Sequence, residues 1–305
     1  MTGAGPKSDP GAGAALAAGL YLVATPIGNA RDITLRALDI LRDADVLMAE
    51  DTRRARHLLE LHGISLRQRP LISYNDHNGA GRRPQLLALL EEGKSIAPTS
   101  DAGTPGIADP GFALVRAAVA AGHHVEGAPG PSAVISALVV SGLPTDRFLF
   151  AGFLPPKRAA RLAALRELVR TGATLVIYES PKRCLETVKD ICAIFGGDVE
   201  AALCRELTKK FEEVRRQTLA ELVDDIAGNP PRGEIVLVVD RKPDDRGADD
   251  LNAVLEDAMA RLSRKDAVAE VAMALSLPRR EVYQAALKIG NKPIVLKNSV
   301  LGPER

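Results

Sequence analysis

KSIAPT (94–99), SDAGTPGIADPG (100–111) and FALVRAAVAAG (112–122) follow one another without a break, and their reading decides the fold. The first run has the apolar content of a short strand, and the third has that of a helix. Between them lies a loop of twelve residues punctuated by Gly103, Pro105, Gly106, Pro110 and Gly111, with Asp101, Asp109 and two hydroxyls interleaved. An ordinary strand-to-helix turn needs only about two to six residues. A long Gly/Pro-rich loop leaving the C-terminal end of a strand is where open α/β sheets bind their ligands. Glycine lets backbone approach a ligand closely, and proline fixes the loop's shape before the ligand arrives.

Working outward, strands and helices alternate from Gly19 to Gly130. The strands are LYLVAT (20–25), VLMA (46–49), PLISY (70–74), the run before the loop, and HHVEG (123–127). The helices are TLRALDILRDA (34–44), with Leu35, Leu38 and Leu41 expected on one face, TRRARHLLELHG (52–63), RRPQLLALLEEG (82–93) and the run after the loop. Such alternation predicts a largely parallel sheet with helices on its faces. SAVISALVVSG (132–142) then bridges to a second series. Its strands are FLFAGF (148–153), TLVIYE (174–179), EAALCREL (200–207) and EIVLVVD (234–240). Its helices are RAARLAALRELVRTG (158–172), KRCLETVKDICAIFG (182–196) and TLAELVDDIAG (218–228), the last opened by the capping box of Thr218 and Glu221. The fold class expected is therefore α/β. Two successive α/β domains, 19–131 and 132–242, share a cleft, and a small helical region follows. KPDDRGADD (242–250) is a linker by composition, and 251–289 reads as three short helices compatible with a helix-turn-helix. Residues 1–18, rich in Gly, Ala and Pro, read as a disordered leader and not as a signal peptide.

Composition narrows the partners. Across 305 residues, 40 Lys and Arg face 39 Asp and Glu, so a nucleic-acid surface has to be a local patch. Cys184, Cys192 and Cys204 lack metal-ligand spacing and read as reduced core residues of a cytoplasmic protein. No metal site and no membrane span is expected.

Five loops follow the expected strands: TPIGN (25–29), the twelve-residue loop, PGPSA (129–133), YESPKR (178–183) and RELTKKFEE (205–213). Taken singly they are weak signals. In this order they resemble the tetrapyrrole methylase superfamily, the class III S-adenosylmethionine-dependent methyltransferases. TPIGN stands where tetrapyrrole-acting members carry GxGPGD. It resembles the branch that methylates a cytidine ribose 2′-hydroxyl in 16S ribosomal RNA of the small subunit, as do AEDTRR (49–54) and YESPKR. The resemblance covers about residues 20–240. It implies a homodimer and S-adenosylmethionine held in the interdomain cleft, with no GxGxxG fingerprint, and none occurs in the sequence.

Carried over by position, the resemblance implies cofactor contacts at Pro26, Gly103, Thr104, Ile107, Ser132, Ala133, Tyr178, Leu207, Gly233 and Glu234. Transfer to a hydroxyl also needs a proton acceptor. Asp51, Asp101, Glu179 and Glu206 lie in the motifs, and Glu179 is the first choice, with a salt bridge to Arg183 as the competing account. Arg53, Arg54, Lys157, Arg158, Lys182, Arg183, Lys209 and Lys210 are the expected RNA contacts, with Arg161, Arg215 and Arg216 near them. With no Trp and few other aromatics, phosphate contacts are expected to supply the main grip. The competing readings are a same-fold methyltransferase acting on a tetrapyrrole or other small molecule, and a ligand-sensing nucleic-acid-binding regulator.

Overall fold

The computed structural model describes residues 16–108, 111–241, 245–275 and 277–289. Most of the expected leader, the linker's first residues and the final run from 290 lie outside the described residues, as do Asp109 and Pro110 of the long loop.

The first half of the chain alternates throughout: β1 (Gly19–Val23), α1 (Leu35–Asp43), β2 (Val46–Ala49), α2 (Thr52–Leu61), β3 (Leu71–Ser73), α3 (Gly79–Glu91), β4 (Ser95–Thr99), α4 (Phe112–Ala120) and β5 (Val125–Ala128). The strands pair in the order β3-β2-β4-β1-β5, all parallel. Fully parallel strands need cover on both faces. α1 and α2 supply it on one side through Ala37, Ile40, Leu41 and Leu59. Leu86, Leu90, Leu114 and Ala118 of α3 and α4 supply it on the other. Chain order reverses between β4 and β1, so the loops leaving their C-terminal ends diverge and open a crevice there.

The expected face of α1 needs correction. Its buried residues are Ala37, Ile40 and Leu41, while Leu35 is 81% exposed. Steps of three residues drift around a helix, so six residues separate side chains by about 120°. α3 starts three residues before the expected RRPQLL run, because Gly79 packs against the Tyr74 ring and Pro84 is absorbed inside the helix.

α5 (Ala133–Ser141) begins the second half, which continues with β6 (Phe148–Phe153), α6 (Arg158–Leu168), β7 (Thr174–Glu179), α7 (Cys184–Phe195), β8 (Glu200–Arg205), β9 (Glu213–Thr218), α8 (Leu219–Gly228) and β10 (Ile235–Val239). The order is β6-β7-β10-β8-β9. β6 and β7 are parallel, whereas β10 runs against both of its neighbours and β9 against β8. α5 covers one face through Val134, Ala137 and Leu138. α6, α7 and α8 cover the other through residues such as Leu165, Ile191 and Leu222. The capping box of Thr218 and Glu221 opens α8. β9 was not expected from the sequence. EVRRQT carries a single large apolar side chain at an edge position, too little for the period-two signal to register.

β10 reverses the sheet's local direction, with one consequence for function. Ile235 pairs with Glu179 of β7 and Arg205 of β8, so the start of β10 lies beside the C-terminal ends of both neighbours. Both sheets belong to one compact unit that ends at Arg241. A second unit contains α9 (Asp245–Arg261), α10 (Arg264–Ala274) and α11 (Arg279–Ile289), packed about Leu255, Val271, Val282 and Ala286. No helix among the described residues is long and apolar enough to cross a membrane.

Candidate active site

At the switch point of the first sheet, TPIGN and the long loop are joined main chain to main chain. Thr25 N–H donates to the Gly103 carbonyl at 2.9 Å, and Gly103 N–H donates to the Thr25 carbonyl at 3.0 Å. Gly103 has φ +84°, a left-handed conformation that glycine adopts without a Cβ penalty. The hydroxyl of Thr104 donates to the Pro131 carbonyl at 3.0 Å, which ties the long loop to PGPSA. Ser132 caps α5 by accepting from Ile135 N–H.

The second sheet meets this assembly through the loop after β8. Asn29 N–H donates to the Thr208 hydroxyl at 3.1 Å. A Cβ on Gly28 would stand 2.5 Å from Lys209 Cγ and 2.6 Å from Thr208 Oγ1, so only glycine fits. Glu206 and Thr208 themselves take left-handed φ of 51° and 65°, strained for residues with side chains.

Between the sheets lies a cleft of about 340 Å³, within the range of roughly 300–1,000 Å³ typical of small-molecule pockets. Ile27, Cys204, Leu207 and Val236 form an apolar floor, and Ser100, Asp101, Thr104, Ser132 and Glu234 contribute polar groups. Of the expected cofactor contacts, Gly103, Thr104, Ile107, Ser132, Ala133, Tyr178, Leu207 and Glu234 line this cleft. Two are not among its lining residues. Pro26 is half-buried behind Ile27, the residue of TPIGN that does line the cleft. Gly233, at φ +85°, leaves space for the Glu206 side chain, since a Cβ there would fall 2.3 Å from Glu206 Oε1. Sequence reasoning also missed Phe153 and Cys204. Both sit at positions that read only as strand.

The carboxylates separate by environment. Glu179 lines the cleft, but its side chain is buried and both oxygens are engaged. Its Oε1 accepts from Ser180 N–H at 2.7 Å, and its Oε2 accepts from the Thr187 hydroxyl at 2.6 Å and pairs with Arg183 at 3.2 Å. These contacts brace the YESPKR turn, as the competing salt-bridge account expects, and leave the carboxylate oxygens already partnered. Glu206 is held below the usual carboxylate range by the Glu234 N–H and by Lys209, despite partial burial. Lys209 bridges Glu206 at 3.0 Å and Glu234 at 2.9 Å. Partial burial works against its charge, but these hydrogen bonds raise its pKa on balance. Burial raises the Tyr178 hydroxyl, with the Glu234 charge adding to it, and burial pushes the Cys204 thiol up to about 11, so neither is an ionised nucleophile at neutral pH. Asp101 remains 30% exposed on the cleft, accepting from Asp51 N–H at 3.0 Å and paired with Arg54 at 3.4 Å.

Several expected RNA contacts are engaged elsewhere. Arg183 is spent on Glu179 and the Leu154 carbonyl, and Lys209 on its two glutamates. Arg161 is buried against Asp190, Arg215 binds Glu213 and Asp225, and Arg216 holds the Val140 carbonyl. Arg158 pairs with Asp190 through Nε at 3.0 Å while its side chain stays exposed. Arg53 and Arg54 are exposed but paired with Asp51 at 2.9 Å and Asp101 at 3.4 Å, and Lys157, Lys182 and Lys210 are exposed.

Asp51 caps α2 and yields a pH prediction. Hydrogen bonds from the Arg53 side chain and backbone hold its pKa at about 2, against an ordinary 3.8. A carboxylate with a depressed folded value stabilises the fold above its unfolded pKa and loses that contribution as pH falls through the folded one. The first turn of α2 should therefore stay ordered at pH 3 and loosen as pH approaches 2. The Asp51 carboxyl carbon should titrate near 2 by NMR, and an inflection near 4 would contradict the cap.

With this geometry in view, comparison with known proteins is informative. Residues 19–223 match the family model of the Tetrapyrrole (Corrin/Porphyrin) Methylases, and residues 245–290 match that of the RsmI C-terminal HTH domain. Ribosomal RNA small subunit methyltransferase I of Mesorhizobium japonicum is 44% identical over 274 residues, covering 88% of this chain and 92% of that protein. The protein of the same name from Synechocystis is 43% identical, with 88% and 98% covered. Among solved structures, cobalt precorrin-4 methyltransferase, a cobalamin biosynthetic enzyme, superposes with a TM-score of 0.56 at 17% identity, covering 72% of this chain and 94% of that one. The methyltransferase CobJ also gives 0.56 at 17%, with 73% and 93% covered. These two establish the fold alone. Together with relatives that align over 88% of the chain, the match over residues 19–223 leads to one conclusion: the chain belongs to the tetrapyrrole methylase family of S-adenosylmethionine-dependent methyltransferases.

Proposed function

We propose that the chain transfers a methyl group from S-adenosylmethionine to the ribose 2′-hydroxyl of a cytidine in 16S ribosomal RNA. The observation that carries this reading is the convergence of all five loops on one cleft, each contributing to its lining and TPIGN also tying the sheets together. The residues fit the cofactor. Ile27, Cys204, Leu207 and Val236 suit its adenine ring and methylenes, and the carboxylates of Asp101 and Glu234 suit its cationic centres. When bound, the cofactor supplies an electrophilic methyl on a sulfonium.

The chain's own task is alignment and proton removal. Main chain at Gly103 and the Thr104–Pro131 tie hold one wall rigid, and effective alignment supplies much of the rate in such displacements. Transfer of that methyl to the 2′-oxygen would leave the carbon–sulfur electron pair on sulfur, so the chain itself has only the hydroxyl proton to place. The hydroxyl proton goes to a carboxylate oxygen of Asp101, which is open to the cleft and oriented by Asp51 N–H and Arg54. A positioned base of this kind contributes about 10²–10⁴-fold. Exposed Arg53, Lys157, Lys182 and Lys210 approach phosphates. The relatives' names support the ribosomal acceptor. Action as a homodimer and in the cytoplasm belongs to the same proposal.

Incubation with methyl-labelled cofactor and 30S subunits from a strain lacking the corresponding methyltransferase tests it. Label is expected on a cytidine ribose of 16S RNA. Label on a base, or transfer only to a corrin-like acceptor, would overturn the reading.

A further inference from the structure

Phe153 is the last residue of β6, lines the cleft, and is 61% exposed. The ring is exposed but fixed. It meets Tyr178 edge-to-face with centroids 5.6 Å apart at 63°, and Tyr178 meets Phe150 in the same manner at 4.8 Å and 67°. The following residue, Leu154, is buried, and its carbonyl accepts from Arg183 Nη2 at 2.8 Å. Pro155 and Pro156 come next, and the Pro156 carbonyl accepts from buried Arg161. Backbone and ring are therefore set before anything binds. Exposed Lys157 follows the prolines, and exposed Lys182 lies in the YESPKR turn whose Arg183 grips this segment.

A rigid aromatic with one open side, flanked by cations, is the arrangement that binds single-stranded nucleic acid, with the base stacked on the ring and phosphates on the charges. A 2′-hydroxyl has to enter a concave site, which a nucleotide stacked within a helix does not do readily. Splayed-out nucleotides are those that proteins read by stacking. We propose that Phe153 is the platform on which the base of the target nucleotide stacks, with Lys157 and Lys182 holding the adjoining phosphates. This rests on the RNA acceptor argued above. It gives the acceptor a defined seat on the second sheet, opposite the wall built from the loops of β1 and β4. Phosphate contacts remain the main grip, and the stack positions one nucleotide.

The test uses the full chain and the variants F153A, F153L and F153W. F153A should raise KM for 30S subunits about 10–100-fold, the span expected for losing one base–aromatic stack. F153L, which keeps apolar bulk without a π face, should resemble F153A, whereas F153W should restore KM. Cofactor Kd by calorimetry and molecular mass by light scattering should stay unchanged in all three. A weakened cofactor Kd would assign the ring to the cofactor, a changed mass would assign it to contact between copies, and an unchanged KM would leave it no role; each overturns the proposal. A fluorescent single-stranded oligoribonucleotide separates this proposal from the ribosomal reading. If wild-type protein puts no methyl into subunits, the ribosomal reading fails. Equal oligoribonucleotide binding by wild type and F153A would independently sink the platform.

Discussion

Replacing Thr104 with tryptophan should abolish cofactor binding while leaving a folded protein. The side chain lines the cleft, and its hydroxyl ties the long loop to Pro131. An indole there occupies the ligand's space and cannot remake the tie. With the ligand's space filled, Kd should rise by at least about 100-fold, roughly 2.8 kcal/mol at about 1.4 kcal/mol per tenfold. The lost hydrogen bond should cost only about 1 kcal/mol of stability, or about 2–4 °C in Tm for a unit of this size. Thr104→Ser keeps the hydroxyl and should bind normally. Calorimetry showing an unchanged Kd for Thr104→Trp would remove the long loop from the cofactor site.

The largest stability effect should come from Asp190→Ala. Asp190 and Arg161 are 4% and 2% exposed at the side chain and meet at 2.8 Å, joining α7 to α6. Removing one partner of a buried pair leaves an uncompensated charge and costs about 3–5 kcal/mol. Arg161 would keep only Glu186 at 4.0 Å and the Pro156 carbonyl at 3.3 Å. A fall in Tm of about 6–20 °C follows from the same scaling. Replacing both partners with apolar residues, Arg161→Met with Asp190→Leu, should recover most of the loss. Urea unfolding that places Asp190→Ala within 1 kcal/mol of wild type would show the pair to be dispensable.

The parallel sheet was legible because its inner strands β1, β2 and β4 are short, mostly apolar runs, a composition that burial on both faces demands. β9 was not, because its stability comes from pairing with β8 and from the ion pairs of Arg215, features that leave no apolar periodicity. The candidate site divided along a similar line. Gly103 and Thr104 stand in a loop whose glycine and proline content announces a special backbone. Pro26 and Gly233 were placed one residue or more from the cleft lining, since a motif fixes a loop but not which of its side chains turns inward. Glu179 carries the right chemical group, and only the packing of Ser180, Thr187 and Arg183 around it reveals a brace. Arg161 likewise read as a surface cation until Asp190, 29 residues away, was seen beside it.

The Thr25–Gly103 pairing bears on how such an enzyme can be altered. Because the two loops are joined through peptide groups, most side-chain replacements in either one leave the join intact, and Gly28 and Gly103 leave little room for variation. The opposite rim, with Phe153, Lys157 and Lys182, is built from exposed side chains on a braced backbone. Libraries meant to redirect the enzyme toward a new acceptor belong at those positions, where variation spares the methyl-donor wall.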